Sequence, residues 1–540
     1  MSVVSSNNPG SLQLLSCGDR DADAAPSSFE RADLAYSALR SKLSGRVLSE
    51  ESESKVERLL LVEGHELLRL LLGGFLEARQ LDRPESVVVG DDGVERTHCR
   101  VGTDRSLATV FGDVTVPRLA WSVRGTDCRH PTDATLNLPN SLYSLELQRQ
   151  LCASAARMPF DAAQESMERT LARTLPKRQA EEAVVSAAVV SAAVDFEEFY
   201  ATHYPALPPD ESADIVVLSF DQKGVVLVAR DLREATRKEG ELSRRKLESR
   251  LSRGEKAGRK RMATVAAVYT VKPYHRDATA VVDGLRRRGE RQKRPRPEEK
   301  RVWASLERTL KEVIGTGFDE AERRDPLRTK TWYVLVDGDP DLEKAVRAEA
   351  HRRHRPVTLI LDFIHALEYL WRASTAFHSV SDPNREDWVL ERLTKILQGQ
   401  VSTVAAGMRR SATLRKLSPE SRKAVDKCVD YFLARTDMMR YDEALRAGAP
   451  IASGVIEGTC RHLINDRLEI TGARWTLARA EAILKLRALL ASDDFEHYWD
   501  FHEQREWWRT HAVRYRECKP PKTSPAPSKR HLRLVKQHAA

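Results

Sequence analysis

Two apolar runs that each end in an aspartate constrain the fold of this chain most. Residues 215–221 read IVVLSFD, and residues 331–337 read TWYVLVD. Their β-branched and aromatic residues favour buried strands. We interpret residues 222–224 (QKG) as a turn between the first strand and a second apolar run at residues 225–229. A carboxylate at the end of a buried strand suits a metal-dependent site, and the alternative is a surface aspartate that caps a turn.

A parallel sheet is predicted from the order of these runs. Residues 264–271 (TVAAVYTV) form a further strand, and residues 357–362 (VTLILD) form another that continues into a helix. Strands that alternate with helices at this spacing are typical of parallel strands joined by crossovers. Ligands of such sheets lie beyond the carboxyl ends of the strands. We therefore predict an α/β core in which Asp221 and Asp337 lie near each other.

The remaining segments differ in composition and periodicity. Apolar residues recur at helical spacing over residues 32–42 and 54–78, and residues 86–123 have the strand-and-turn character of a small antiparallel sheet. Residues 302–313 are predicted as a helix, and the basic block at residues 285–301, with its prolines, as a loop. The predicted organisation is a disordered segment 1–28, a mainly helical N-terminal DNA-binding region 29–204, the first part of the core 205–365, a helical segment 366–447, C-terminal core helices 448–515 and a basic disordered tail 516–540.

Basic residues indicate a polyanionic partner. The formal charge is +9 and the isoelectric point is near 9.1. Residues 145–194 contain two helical stretches joined by a turn, and Lys177 and Arg178 would begin the second helix after Pro176. This layout is similar to a helix-turn-helix, in which the leading residues of the second helix meet base edges. Any two short helices joined by a turn look alike, so an ordinary helical hairpin is the alternative.

Cysteine usage and hydropathy limit the class of protein. The seven cysteines are dispersed, with neither a CxxC pair nor a zinc-binding spacing. Such thiols are typical of a reducing cytoplasm, and the apolar runs are too short to cross a bilayer. We therefore expect an intracellular, cytoplasmic protein that does not associate with membranes.

A third acidic residue stands at the start of a late helix. Residues 451–467 read IASGVIEGTCRHLINDR, with Ser453 as a candidate N-cap and Glu457 in the first turns. Arg461 and Asn465 follow at helical spacing and are expected on the face of Glu457. A helix is also predicted from Trp475 to Leu490.

Two strand-end aspartates and a helix-borne glutamate suit a pair of divalent cations. Two-metal sites hold their ions about 3.5–4 Å apart and promote phosphodiester chemistry. Carboxylate oxygens are the donors that Mg²⁺ prefers. The alternative is three unrelated residues among the 79 acidic residues of the chain.

Four sequence blocks resemble those of bacterial DDE transposases, specifically the ISKra-four group of insertion sequences. The blocks are DQKG at 221–224, VDGDP at 336–340, DFIHALEYLW at 362–371 and SGVIEGTCRHLINDR at 453–467. The resemblance extends over about residues 90–515, and the block around Glu457, which continues to Trp475, is the most specific. The pair Asp362 and His365 also resembles a signature of Mutator-like transposases.

The resemblance implies an RNase H-like fold with an all-helical insertion before the catalytic glutamate, which residues 366–447 match by position. It also implies Asp221, Asp337 and Glu457 as the triad that binds two Mg²⁺ ions, with Mn²⁺ as a substitute. Asp339 competes with Asp337 for the second position, and we prefer Asp337 because it ends the strand. The implied partners are the terminal repeats of the element, target DNA and further copies of the chain in a synaptic complex.

Other residues of these blocks have two interpretations each. Asp362 and His365 would support the site, or else be a helix-start aspartate and a packed histidine. Arg461 would contact a phosphate, and Trp475 would stack on an unpaired base or lie in the core. The activity implied is Mg²⁺-dependent DNA cleavage and strand transfer. The alternatives are a domesticated, non-catalytic DNA-binding protein and an RNase H-like nuclease without strand transfer.

Overall fold

The computed structural model describes residues 27–45, 50–79, 82–170, 189–203, 215–242, 259–286, 294–470 and 473–524. The chain forms two compact units. Of the described residues, those within 27–144 and 507–524 form the first unit, and those within 145–170 and 189–506 form the second. Residues 145–170, which the sequence analysis groups with the N-terminal region, thus belong to the second unit. The predicted disordered segment lies outside the described residues, except for its last two residues.

Two helices open the first unit, as their apolar periodicity predicts. α1 is Ser28–Ser44 and α2 is Glu53–Arg79. Ser27 caps α1 in a capping box with Glu30, in which each side chain accepts a hydrogen bond from the other residue's backbone N–H. Leu76 of α2 packs in an apolar cluster with Leu107, so α2 is a packing helix.

The first unit also contains short antiparallel strand pairs where a small antiparallel sheet is predicted. The pairs are β2 with β3, β4 with β7, and β5 with β6. The strands are β1 Arg83–Pro84, β2 Val88–Val89, β3 Glu95–Arg96, β4 His98–Arg100, β5 Arg105–Thr109, β6 Gly112–Val116 and β7 Ala120–Ser122, and a short helix, α3, is Pro131–Thr135.

The tail differs in part from its prediction. β1 pairs antiparallel with Thr523–Ser524, so the beginning of the predicted disordered segment 516–540 is ordered by strand pairing. The Lys522 carbonyl also accepts a hydrogen bond of 2.8 Å from the Glu85 N–H. Residues 525–540 lie outside the described part of the chain.

A five-stranded mixed sheet forms the core of the second unit. Its order is β10-β9-β8-β11-β12. β9 pairs antiparallel with β8 and β10, whereas β11 is parallel to β8 and β12. The strands are β8 Ile215–Val226, β9 Lys260–Val271, β10 Glu298–Ser305, β11 Thr331–Val336 and β12 Thr358–Leu361. The parallel arrangement of the strands that precede Asp337 and Asp362 is confirmed.

Three local predictions at this sheet are wrong. The basic block 285–301 is not a loop throughout, because β10 begins at Glu298. Residues 222–224 are not a turn, because β8 continues through them and Lys223 pairs with Ala263 of β9. Residues 302–313 are not one helix, because β10 extends to Ser305 and the helix begins only at Leu310. At residues 222–224 and 302–305 the chain is extended because it pairs with β9, and the local sequence preferences do not predict this pairing.

Helices make up most of the remainder of the second unit. Residues 382–445 form helices joined by short turns, as their helical pattern predicts, and the fully described stretch 363–453 contains no strand. The first of these helices are α4 Leu145–Arg157, α5 Phe160–Thr170, α6 Glu234–Leu242, α7 Ala278–Leu285, α8 Leu310–Arg324 and α9 Pro340–Arg352, and α10 Phe363–Ser374 follows β12. The later ones are α11 Asn384–Leu397, α12 Val401–Leu414, α13 Pro419–Leu433, α14 Tyr441–Arg446, α15 Gly454–Cys460, α16 Leu477–Ala491 and α17 Phe495–Thr510.

The sheet is buried by helices. Val216, Val217 and Leu218 of β8 are inaccessible to solvent, as is Val334 of β11. The nearly continuous apolar character of these strands therefore reflects burial on both faces. None of the described helices combines the length and the apolar character needed to span a lipid bilayer.

Candidate active site

Two neighbouring parallel strands bring Asp221 and Asp337 to the same edge of the sheet. The pairing of β8 with β11 extends to Ser219 opposite Leu335, and Asp337 directly follows β11. β8 continues beyond this point only along its other neighbour, where Asp221 pairs with Val265 of β9. Asp221 therefore lies on the part of β8 that β11 no longer covers.

The carboxyl group of Asp337 is half-buried and close to other carboxylates. Burial raises its pKa, the N–H of Asp339 opposes this by donating a hydrogen bond of 3.0 Å, and the charge of Asp221 raises the pKa further. The hydroxyl of Tyr431 on α13 donates a hydrogen bond of 2.9 Å to the Asp337 carbonyl oxygen. This bond ties the helical segment to the end of β11.

The competing residue, Asp339, has a structural task. Its side chain is the N-cap of α9 and accepts hydrogen bonds from the N–H groups of Asp341 and Leu342, at 2.8 and 3.1 Å. An N-cap carboxylate compensates backbone donors that have no partner within the helix. One oxygen of Asp339 thus caps the helix, and one oxygen of Asp337 likewise accepts a backbone hydrogen bond, from the Asp339 N–H.

Glu457 lies in the first turn of α15, as predicted, and its side chain is exposed. The partial burial of its carboxyl group raises its pKa, and the charges of Asp362 and, to a smaller extent, Asp221 raise it further. Among the described residues, no group forms a hydrogen bond or an ion pair with this carboxylate. Glu457 and Asp221 therefore belong to one electrostatic site, although they are 236 positions apart in the sequence.

Among the described residues, the one group of three possible metal ligands whose donor atoms lie close together contains Glu457 and a histidine, but neither Asp221 nor Asp337. One ligand atom from each of Asp362, His365 and Glu457 lies within 4.8 Å of the other two. Asp362 is completely buried and caps α10, because its carboxylate accepts a hydrogen bond of 2.8 Å from the Ile364 N–H. The Ser453 hydroxyl donates to its other oxygen. Asp362 thus joins the beginning of the helix that carries His365 to the beginning of the helix that carries Glu457.

Cys460 is a site residue that the sequence analysis misses. Its buried thiol donates a hydrogen bond of 3.1 Å to Oδ2 of Asp221, while Oδ1 accepts one of 2.6 Å from the Gln222 N–H. Burial and then the Asp221 charge raise the pKa of the thiol. The spacing from Glu457 could have indicated this position, because residues three apart lie on one face of a helix.

The site carries an excess of negative charge. The charges that act most strongly on the pKa values of Asp337 and Glu457 come from carboxylates and from His365, and none of them comes from a lysine or an arginine. An excess of hard oxygen donors suits Mg²⁺ or Mn²⁺. Asp221, Asp337 and Glu457 could hold such ions, and His365 offers an imidazole beside Glu457.

The other predicted residues have different surroundings. The side chain of Arg461 is exposed, and its Nε lies 3.7 Å from an oxygen of Asp466. The helix changes to a π-helical turn at Arg461–Asn465, so the α-helical spacing from Glu457 does not extend to Asn465. Lys177 and Arg178 lie outside the described residues.

Trp475 is part of the core of the second unit. Only 6% of it is exposed, its indole N–H donates to the Leu468 carbonyl at 3.2 Å, and its ring meets that of Phe160 edge-on. Its backbone pairs with the end of β8, because the Val228 N–H donates to the Trp475 carbonyl oxygen at 2.9 Å. The helix α16 accordingly begins at Leu477 rather than at Trp475.

Similarity to known proteins does not identify the site. Comparison of this chain with protein-family models, with curated proteins and with solved structures finds no match.

Proposed function

We propose that this chain is a DDE transposase of the ISKra-four type, which cleaves DNA at the ends of an insertion sequence and joins the freed ends to target DNA. The observation that supports this proposal is the position of Asp221, which lies beside Asp337 where two parallel strands end their pairing and whose charge also acts on Glu457 at the start of a helix. The four sequence blocks that resemble this group contain all three residues.

The architecture of the second unit supports an RNase H-like core. Three antiparallel strands in chain order are followed by two strands parallel to the first, and a purely helical stretch then precedes Glu457. This is the arrangement expected for an RNase H-like core with a helical insertion. Fold alone does not imply function, so the proposal depends on the site residues.

The metal requirement follows from the donor set. Asp221, Asp337 and Glu457 would hold two Mg²⁺ ions, for which Mn²⁺ could substitute. Two such ions, when bound, activate the attacking oxygen and stabilise the leaving oxygen of a phosphodiester. The carboxylates of the chain would orient the ions and the scissile phosphate, and the mechanism needs no protein nucleophile.

The implied partners are the terminal repeats of the element, target DNA and further copies of this chain in a synaptic complex. The formal charge of +9 supports a polyanionic partner. Such an enzyme would act in the bacterial cytoplasm, on the nucleoid.

The decisive experiment compares the full-length chain with Asp221→Asn on the DNA that flanks its coding sequence. We expect Asp221→Asn to bind this DNA like the wild type while losing Mg²⁺-dependent cleavage by at least 100-fold. Asp493→Asn is the matched control, because Asp493 is exposed and has a left-handed backbone (φ 63°) that asparagine also tolerates. Unchanged cleavage by Asp221→Asn contradicts the proposed site.

The same assay separates the alternatives. A wild-type chain that binds the flanking DNA and never cleaves it would be the domesticated binding protein. Cleavage without products joined to a second duplex would identify a nuclease. Joined products that require wild-type Asp221 support the transposase.

A further inference from the structure

A cavity of about 530 Å³ opens beside the candidate active site of the second unit. Glu457 is a residue of the candidate active site and also lines the cavity, so the two are continuous. Most of its wall is apolar, and two tyrosines contribute aromatic surface. The lining includes Tyr269, Tyr274, Ile364, Pro450, Val455 and Glu457. Small-molecule sites of proteins are typically concave, mostly apolar and about 300–1,000 Å³ in volume.

Two guanidinium groups line the same cavity. They belong to Arg276, which follows β9, and Arg294, which precedes β10. Among the described residues, no carboxylate lies within ion-pair distance of either side chain. Burial lowers the pKa of Arg276, the neighbouring Tyr274 opposes this, and the positive charge of Arg294 lowers the pKa further.

The guanidinium group of Arg276 is held in place on the cavity wall. It lies over the ring of Tyr274, with its central carbon 4.9 Å from the ring centroid. The backbone of Tyr274 is fixed in turn, because its N–H donates a hydrogen bond of 2.8 Å to the carbonyl oxygen of Gly448. A preorganised cation that no carboxylate neutralises favours an anion, and a planar guanidinium matches a phosphate in two-point contact.

We propose that this cavity binds one unpaired nucleotide of the DNA strand being processed, with the base against the apolar and tyrosine wall and a phosphate between Arg276 and Arg294. The inference deepens the proposed function and rests on it for the identity of the strand. A duplex is too wide for the cavity, whereas a single base is flat, apolar on its faces and attached to a phosphate. Binding there would hold the neighbouring phosphodiester next to Glu457.

The first test uses the full-length chain and 2-aminopurine deoxyribonucleoside 5′-monophosphate, a fluorescent nucleotide. We expect it to bind at least tenfold more tightly than either its nucleoside or inorganic phosphate, because only the nucleotide uses both parts of the cavity. Arg276→Gln and Arg294→Gln should each weaken its binding about tenfold. Arg410→Gln, at an exposed position on α12, removes the same charge elsewhere and should leave the affinity unchanged.

Ala280→Phe provides a variant that keeps all charges. Ala280 lines the cavity from α7 and is itself exposed, so a larger side chain can occupy the cavity without disturbing the core. We expect it to abolish the preference for the nucleotide over inorganic phosphate. Equal affinities for nucleotide and phosphate in the wild type, or equal nucleotide affinities in all variants, would overturn the proposal.

A second test uses the flanking DNA with 2-aminopurine placed beside the cleaved bond. We expect the fluorescence to rise when the wild type binds this DNA, because an unstacked 2-aminopurine enters the cavity. Asp221→Asn should show the same rise, and Ala280→Phe should not. Cleavage without such a rise in the wild type overturns the cavity proposal and leaves the proposed function standing. A rise without any metal-dependent cleavage supports the cavity and contradicts the transposase.

Discussion

Asp337 and Asp339 lie two positions apart, and their side chains serve different purposes. Asp339 caps α9 with one carboxylate oxygen, which binds two backbone N–H groups. Asp337 faces the charge of Asp221 and has a raised pKa, caused first by burial. The proposed reaction therefore needs the negative charge of Asp337, whereas α9 needs only an acceptor oxygen at position 339.

This difference predicts opposite outcomes for the same substitution. Asp337→Asn should reduce Mg²⁺-dependent cleavage of the flanking DNA by at least 100-fold. Asp339→Asn should retain cleavage within about threefold and keep its melting temperature, because asparagine caps helices as well as aspartate does. Asp339→Ala removes the N-cap acceptor of α9 and should lower the free energy of unfolding by about 0.5–2 kcal/mol. If Asp339→Asn lost cleavage and Asp337→Asn retained it, Asp339 rather than Asp337 would be the second metal-binding aspartate.

Glu320 shows how a buried charge can matter for stability. It is 2% exposed, and its carboxylate lies 2.7 Å from Arg301, 2.6 Å from Arg323 and 2.7 Å from Arg324. Burial raises the pKa of Glu320, but the three guanidinium groups outweigh burial and lower it from 4.5 to about 2. Because the pKa of Glu320 is lower in the folded state than in the unfolded state, its ionisation stabilises the fold at a pH above the unfolded-state pKa. This stabilisation is lost as the pH falls toward 2.

We expect Glu320→Gln to destabilise the second unit by about 3–5 kcal/mol near neutral pH, because three arginines lose their counter-charge. The free energy of unfolding, measured with urea, should differ less between variant and wild type at about pH 3 than at about pH 7. Glu420→Gln, at an exposed position in the first turn of α13, should change it by less than about 0.5 kcal/mol. A pH-independent difference would contradict the assigned ionisation.

At the scale of elements, the sequence predicts those parts whose periodicity is long and uninterrupted. Helices α1 and α2, the strands before Asp337 and Asp362, and the helical stretch 382–445 follow from such patterns. The polar residues 222–224 suggest a turn, yet β9 supplies twelve consecutive partners to β8 and keeps it extended. Local composition does not show which distant segment a strand will pair with. For the same reason, the end of β10 at residues 302–305 is wrongly predicted as the start of a helix.

Part of the site could be predicted for the same reason. Asp221 ends the apolar part of β8, Asp337 directly follows β11, and Glu457 follows a recognisable N-cap position, so their placement on elements is readable from the sequence. The bond between Cys460 and Asp221 joins residues 239 positions apart and depends on how α15 packs beside the sheet. The buried position of Trp475 depends likewise on packing against Phe160.

The helical segment is attached to the site through Tyr431. Its ring stacks on that of Tyr369 with centroids 3.8 Å apart, and its hydroxyl donates to the Asp337 carbonyl oxygen. We expect Tyr431→Phe to keep the stacking and to cost about 0.5–1.5 kcal/mol of stability, because one hydrogen bond is lost. Tyr431→Ala should cost about 3–5 kcal/mol. Urea denaturation measures both, and equal losses would show that the hydroxyl, not the ring, makes the attachment.

At the scale of the whole molecule, the basic residues of the C-terminal tail are separate in sequence from the candidate site. Four of them, Lys529, Arg530, Arg533 and Lys536, follow the last described residue, Ser524, whose short strand pairs with β1. No acidic residue lies among them. Cations of this kind strengthen DNA binding by releasing counterions from phosphates, independently of the DNA sequence.

A chain that ends at Ser524 should therefore bind DNA more weakly and with less dependence on salt. Each phosphate contact contributes about 0.9 to the slope of log affinity against log salt concentration, so removing four cations should reduce the slope by up to about 3.6. The paired strand at Thr523–Ser524 is retained, so the melting temperature should stay the same. Fluorescence anisotropy with a duplex of unrelated sequence at several salt concentrations measures this effect. An unchanged slope would mean that the phosphate contacts come from the folded units, and the two uncompensated guanidinium groups of the cavity would then be the first to mutate.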